Sequence, residues 1–102
     1  MYIISFYVPV DHAEFVKDAM FSAGAGRIGA YDLCCWQTLG QGQFRPLEGS
    51  KPFIGERDKV ETVSELKVEM VCEAECLNLV VAALRQAHPY ETPAFHVLKD
   101  AT

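Results

Sequence analysis

The chain has 102 residues, half of them hydrophobic and 23% charged, with a formal charge of −5; this fits one globular domain around one core and excludes a disordered segment or a coiled coil. Nine Lys and Arg with no basic run give little grip on a phosphate backbone, so nucleic acid is not an expected partner. No apolar run approaches the roughly 20 residues that cross a bilayer, and the apolar N-terminus lacks the basic flank and cleavage site of a signal peptide, so a soluble, cytoplasmic protein with free thiols is expected.

Residues 1–10 carry β-branched and aromatic side chains on both alternating faces, with Tyr2, Ile4, Phe6 and Val8 against Ile3 and Tyr7, the pattern of a central strand. Asp11 offers an N-cap with Glu14 three residues on, and Phe15, Val16, Ala19, Met20 and Ala23 form a helical stripe that ends at Gly24. Residues 31–39 read as a second strand, with a turn at Gly40-Gln41-Gly42 into a short partner strand at 43–46, and residues 47–59 have the Gly, Pro and charge content of a loop. From Val63 to Cys72, apolar Leu66, Val68, Met70 and Cys72 alternate with Lys67 and Glu69, a strand with one buried face. Leu77, Val80, Val81, Leu84 and Ala87 repeat at helical spacing up to the stop at Pro89, and residues 95–98 form a last short strand.

The order β α β β α β folds most simply as a single α+β domain over residues 1–102. It is a ferredoxin-like antiparallel sheet with both helices on one face and a hairpin and loop extension. Two helices cover one face, yet the first strand is apolar on both. A second copy of the chain is the expected cover, so an oligomer is predicted.

Gly24-Ala25-Gly26-Arg27-Ile28-Gly29 matches the dinucleotide fingerprint in letters only. It follows a helix and precedes a strand, whereas that fingerprint must open the helix on whose N-terminus the pyrophosphate sits. A helix C-cap and a tight connection explain the glycines, and Arg27 remains available to an anion. Cys34 and Cys35, read as strand residues, point to opposite faces and cannot chelate one ion together. Cys72 reads as core, and Cys72 with Cys76 is a weak metal signal. His88-Pro89-Tyr90-Glu91-Thr92-Pro93 is the most distinctive stretch: two prolines hold His88, Tyr90 and Glu91 on a stiff turn, either as structural anchors or as ligand contacts. The three histidines, His12, His88 and His96, have no zinc spacing, and no Walker loop, nucleophile elbow or other local catalytic signature is present. A Cys34 and His88 nucleophile pair could meet only through the fold.

The runs GAGRIGAYDLCC at residues 24–35, GQGQFRP at 40–46, GSKPFIGE at 49–56 and HPYETPAF at 88–95 together resemble the PII-like insert domain of the Ngg-interacting-factor-three family, also called DUF34 or YqfO-like proteins. HPYE at a helix exit is also similar to the CutA divalent-ion-tolerance proteins. The resemblance implies a freestanding counterpart of that insert domain, without the metal-binding halves that carry the family's cyclohydrolase-type label. It further implies a trimer with ligand clefts near the extended loop and, from the CutA side, metal binding through scattered Cys and His, for which Cys34 and His88 are the matching positions.

These readings lead to a non-enzymatic regulatory or sensor-like module that oligomerises and binds a small ligand or a divalent metal ion, copper or zinc. Arg27, Tyr90 and Glu91 are the expected ligand contacts, and Cys34 and His88 the expected metal ligands. A protein-interaction module docking through its hairpin and loop is the alternative of a different class, and a cyclohydrolase-like or other hydrolase is a third.

Overall fold

A computed structural model describes residues 1–102 in full. Its main elements are β1 (Tyr2–Pro9), α1 (Ala13–Ser22), β2 (Trp36–Phe44), β3 (Glu61–Cys72), α2 (Leu77–Ala87) and β4 (Phe95–Lys99), with short 3-10 turns leading into both helices. The strands form one antiparallel sheet in the order β2-β3-β1-β4. This is the expected ferredoxin-like βαββαβ arrangement.

The even positions of β1 make the core. Ile4, Phe6 and Val8 are fully buried and lie in register with Met70, Val68 and Leu66 of β3. Val16 and Met20 of α1 and Val80 and Leu84 of α2 close over them from one side. The odd positions, Ile3, Ser5 and Tyr7, face away from the helices beside Val71, Glu69 and Lys67. Trp36 and Leu98, each 60% exposed, share that open face.

Helix α1 ends as its sequence predicts. Gly24, at φ 115°, donates to Phe21 O, and Ala25 donates back to Met20 O, the paired bonds of a Schellman cap. Its start differs: Val10–His12 form a 3-10 turn, and no side chain caps the helix, so Asp11 does not act as the N-cap.

The hairpin departs more from expectation. Strand β2 runs straight through Gly40 and Gly42, and all nine of its residues pair with β3, from Trp36 opposite Glu69 to Phe44 opposite Glu61. Neither glycine has positive φ, so neither forms the hairpin turn expected there. Gly42 serves a close approach instead, because the space a side chain would take is filled by the Glu65 carboxylate. Residues 45–60 make the true connection. Residues 31–35 are not strand: Ile28 and Tyr31 form an isolated bridge, and Leu33 takes a left-handed φ of 54°.

Pairing of β1 with β3 ends at Pro9 and Glu65, so residues 41–44 and 61–64 extend past the sheet as a two-stranded arm. The arm makes the molecule long, 46 Å against 25 and 24 Å in the other directions. Phe6→Ala, which empties a fully buried site, is expected to cost about 3–5 kcal/mol in denaturant unfolding, whereas Leu39→Ala at an exposed position should stay within about 0.5 kcal/mol.

Candidate functional site

The site is assembled where α2 stops. His88 leaves the helix in an extended conformation, as a residue before proline prefers, and its own N–H still donates to Leu84 O. The β1–β4 ladder ends at Phe6 and Phe95, and the buried His88 ring takes over one residue further on. Its Nε2–H donates to the Tyr7 carbonyl at 2.6 Å, and its Nδ1 accepts the Tyr90 N–H at 3.1 Å. Only the neutral ring protonated at Nε2 serves both partners. Burial pushes the His88 imidazole below its ordinary value, consistent with that tautomer.

Tyr90 then turns back toward the sheet. Its hydroxyl donates to Glu65 Oε2 at 2.9 Å, and burial, reinforced by that carboxylate, pushes the phenol well above its ordinary value, so it stays protonated. Glu65 is itself buried and lies against the bare backbone of Gly42. Around the Tyr90 ring gather Phe44 at 6.0 Å and Phe53 at 6.4 Å between centroids, and Phe53 meets His12 edge-on at 5.3 Å. Glu91 holds the long loop: its Oε2 accepts the Lys51 N–H at 2.6 Å.

The folded-back loop, the arm and the turn enclose a cleft of about 840 Å³ on the open face of the sheet. Its walls include Phe44, Phe53 and Pro46, its floor Tyr7 and Thr38. Charges of both signs, Arg45 and Lys67 against Glu65 and Glu91, converge on it. This is a concave, largely apolar site with a few placed polar groups, the usual form of a small-molecule site.

Of the residues singled out from sequence, Tyr90 and Glu91 line the cleft, and His88 supports it from behind. Arg27 and Cys34 are elsewhere. Their loop is fixed by Cys34 N–H to Gly26 O at 2.8 Å and Gly26 N–H to Val71 O at 2.7 Å. Val71 lies opposite Ile3, whereas His88 is bonded at Tyr7. Four residues of β1, roughly 13 Å, separate the two places. One chain therefore does not bring Cys34 to His88, and both His88 nitrogens are already engaged; nor does any group of three or more His, Cys, Asp or Glu side chains assemble to hold a metal. The expected donors do not fit a metal centre within one protomer.

Sequence reasoning missed Glu65, Phe44 and Phe53. Glu65 had the appearance of one more polar position on an alternating strand. The available signal was Gly42, a glycine inside a strand, which marks a close approach as readily as a turn.

Two predictions follow from this geometry. Gly42→Ala should displace the Glu65 carboxylate and cost about 1–3 kcal/mol in denaturant unfolding, while Gly40→Ala, where a side chain meets only open space, should cost nothing or stabilise by up to about 1 kcal/mol. Below the ordinary histidine value of 6.5 the unfolded chain takes up a proton that folded His88 refuses. Stability should therefore be intact above that pH and fall as pH drops toward the folded value, by up to about 1.4 kcal/mol per pH unit. Thermal unfolding from pH 8 to 5 should show this fall, and His88→Asn should flatten it while lowering stability throughout.

No protein-family model matches the chain. Curated relatives do: a GTP cyclohydrolase 1 type 2 homolog of Mycobacterium tuberculosis is 48% identical over 91 residues, 89% of this chain and 24% of that protein. The homolog of Bacillus subtilis is 40% identical over 94 residues, 92% of this chain and 25% of that protein. The chain thus spans about a quarter of the length of the curated relatives it matches. Among solved structures, the Bacillus cereus protein related to NIF3 superposes with a TM-score of 0.84 at 36% identity, covering 99% of this chain and 26% of that one. CutA from Xylella fastidiosa shares the fold, with a TM-score of 0.68 at 21% identity over 99% of this chain and 84% of that one. Over about nine-tenths of its length, the chain is similar in sequence to about a quarter of these GTP cyclohydrolase 1 type 2 homologues, it superposes on a matching quarter of the NIF3-related protein, and it shares the fold of CutA.

Proposed function

We propose that this domain is a non-enzymatic, regulatory or sensor-like module that binds a small ligand in the cleft between the β2–β3 arm, the loop of residues 45–60 and the turn of residues 88–93. The observation that carries this reading is the cleft's construction. Tyr90 is held by Glu65, and Glu91 by the Lys51 N–H, on a turn that prolines and a doubly bonded His88 make stiff. Such rigidity lowers the ordering cost of binding. Tyr90 and Glu91 contact the ligand in this reading, with Phe44 and Phe53 stacking on its apolar part.

The name of the curated relatives raises a cyclohydrolase reading, but they are about four times as long as this chain, and the Tyr90 hydroxyl and Glu65 carboxylate in the cleft are engaged with each other. A CutA neighbour from Archaeoglobus fulgidus is named for divalent cation tolerance. A copper or zinc ion held by Cys34 and His88 would need donors from two chains and release of one His88 bond, so the small-ligand reading is preferred.

Oligomerisation, with a trimer as the expected form, belongs to the same proposal. Trp36 and Leu98 stand exposed on the open face, and β2 offers a nine-residue edge without a single charged side chain or proline. Another chain paired at that edge would extend the sheet and satisfy its free backbone groups. Sedimentation should show a species of three chains; a monomer at micromolar concentration contradicts this part.

A thermal-shift screen with metabolites and divalent ions tests the binding. A true ligand at a hundred times its Kd should stabilise the fold by about 2.7 kcal/mol. That gain should disappear in Phe53→Ala, whose side chain forms a wall of the cleft. If nothing in a broad screen raises the melting temperature, the reading fails.

A further inference from the structure

We propose that Gly40 and Lys67 set the ligand class of the cleft: a molecule whose flat apolar body lies on bare strand at Gly40 and whose acidic group, a carboxylate, sulfonate or phosphate, meets Lys67. This rests on the small-ligand reading of the cleft and adds which chemistry the cleft selects.

Gly40 is the one glycine that the fold does not explain. Of the seven glycines, Gly24, Gly26, Gly29, Gly49 and Gly55 have positive φ, which a residue with a side chain adopts only at a cost. Gly42 leaves room for the Glu65 carboxylate. Gly40 has no positive φ, sits in mid-strand opposite Glu65, and would meet nothing within 4 Å if it carried a Cβ. A glycine in mid-strand weakens the strand and packs nothing, and it recurs where a ligand must approach the backbone closely.

Alternation puts Thr38, Gly40, Gly42 and Phe44 on one face of β2, and all four line the cleft. Because Glu65 fills the space at Gly42, the gap at Gly40 is a slot between the Thr38 side chain and that carboxylate.

Lys67 is the cation at the slot. Register sets Thr38, Lys67 and Tyr7 side by side across β2, β3 and β1, in the row next to Gly40 and Glu65 on this face. Cross-strand neighbours of this kind have Cβ atoms about 4.5–5.5 Å apart. The carboxylates of the cleft already have donors, Glu65 from the Tyr90 hydroxyl and Glu91 from the Lys51 N–H. The Lys67 ammonium has a loose contact of 3.8 Å with Glu69, and its side chain is 40% exposed. An acidic group in the slot gains a charge-assisted hydrogen bond from Lys67, with the Tyr7 and Thr38 hydroxyls in the same row.

The probes are 8-anilinonaphthalene-1-sulfonate and N-phenyl-1-naphthylamine, which share one fluorescent ring system and differ in the sulfonate. Fluorescence titration of the native protein should show one bound sulfonate per chain, held about tenfold or more tighter than the neutral probe. Phe53→Ala should weaken both probes. Lys67→Gln should weaken the sulfonate alone, by about tenfold, whereas Lys59→Gln, the same charge change outside the cleft, should weaken neither. Gly40→Val should weaken both by about tenfold or more while its denaturant midpoint equals or exceeds that of the native protein, since a β-branched side chain suits an open strand position. Unchanged affinity in Gly40→Val or Lys67→Gln, or a lowered midpoint in Gly40→Val, overturns the inference; if both probes still depend on Phe53, the small-ligand reading stands without it. Absence of probe binding, or binding indifferent to Phe53→Ala, also overturns the inference, and the metabolite screen then decides the reading beneath it.

Discussion

The Glu65 carboxylate, buried between the bare backbone of Gly42 and the hydroxyl of Tyr90, is the contact on which the cleft end of the molecule depends. Taking a carboxylate out of water is costly unless donors meet it, and Tyr90 supplies one at 2.9 Å. The contact joins two parts of the chain that have no ladder in common: β3 with its arm, and the turn after α2. Loss of either partner leaves the other polar group without its mate, so the arm and the turn are expected to loosen together.

Behind that contact lies a short relay of bonds. The β1–β4 ladder stops at Phe6, His88 takes the next carbonyl, Tyr90 donates its N–H to His88, and the Tyr90 hydroxyl returns to β3 through Glu65. Each member uses a different group, so none competes with another. His88 is thus a positioning residue. Its imidazole, kept neutral by burial, does for the turn what a further strand residue would do for the sheet. The loop of residues 45–60 is the outermost layer, held by Glu91 and by the Phe53 contacts with His12 and Tyr90.

Much of the fold was legible in the sequence. The 3.6-residue stripe of Leu77 to Ala87, the doubly apolar β1 and the alternation of Leu66 to Cys72 gave helix, central strand and half-buried strand, because burial enforces those periods. The hairpin was misread because local turn chemistry at Gly40-Gln41-Gly42 looks the same as a strand glycine placed to admit a distant side chain. Glu65, twenty-three positions later, supplies the reason, and no local window contains both. The site was half legible. HPYETP announced a rigid turn, and its Tyr90 and Glu91 line the cleft, but the partners that make it a cleft come from segments that only the β2–β3 pairing brings near. Cys34 and Cys35 were placed on a strand by their apolar neighbours, whereas β2 begins only at Trp36.

The claim that the cleft around Tyr90 is built by one buried contact is tested most directly by a double-mutant cycle of Glu65→Ala and Tyr90→Phe in denaturant unfolding. A coupling energy of about 1–3 kcal/mol is predicted, since the double variant removes a pair that each single variant merely strands. Additive effects, with coupling within about 0.3–0.5 kcal/mol of zero, would contradict the account.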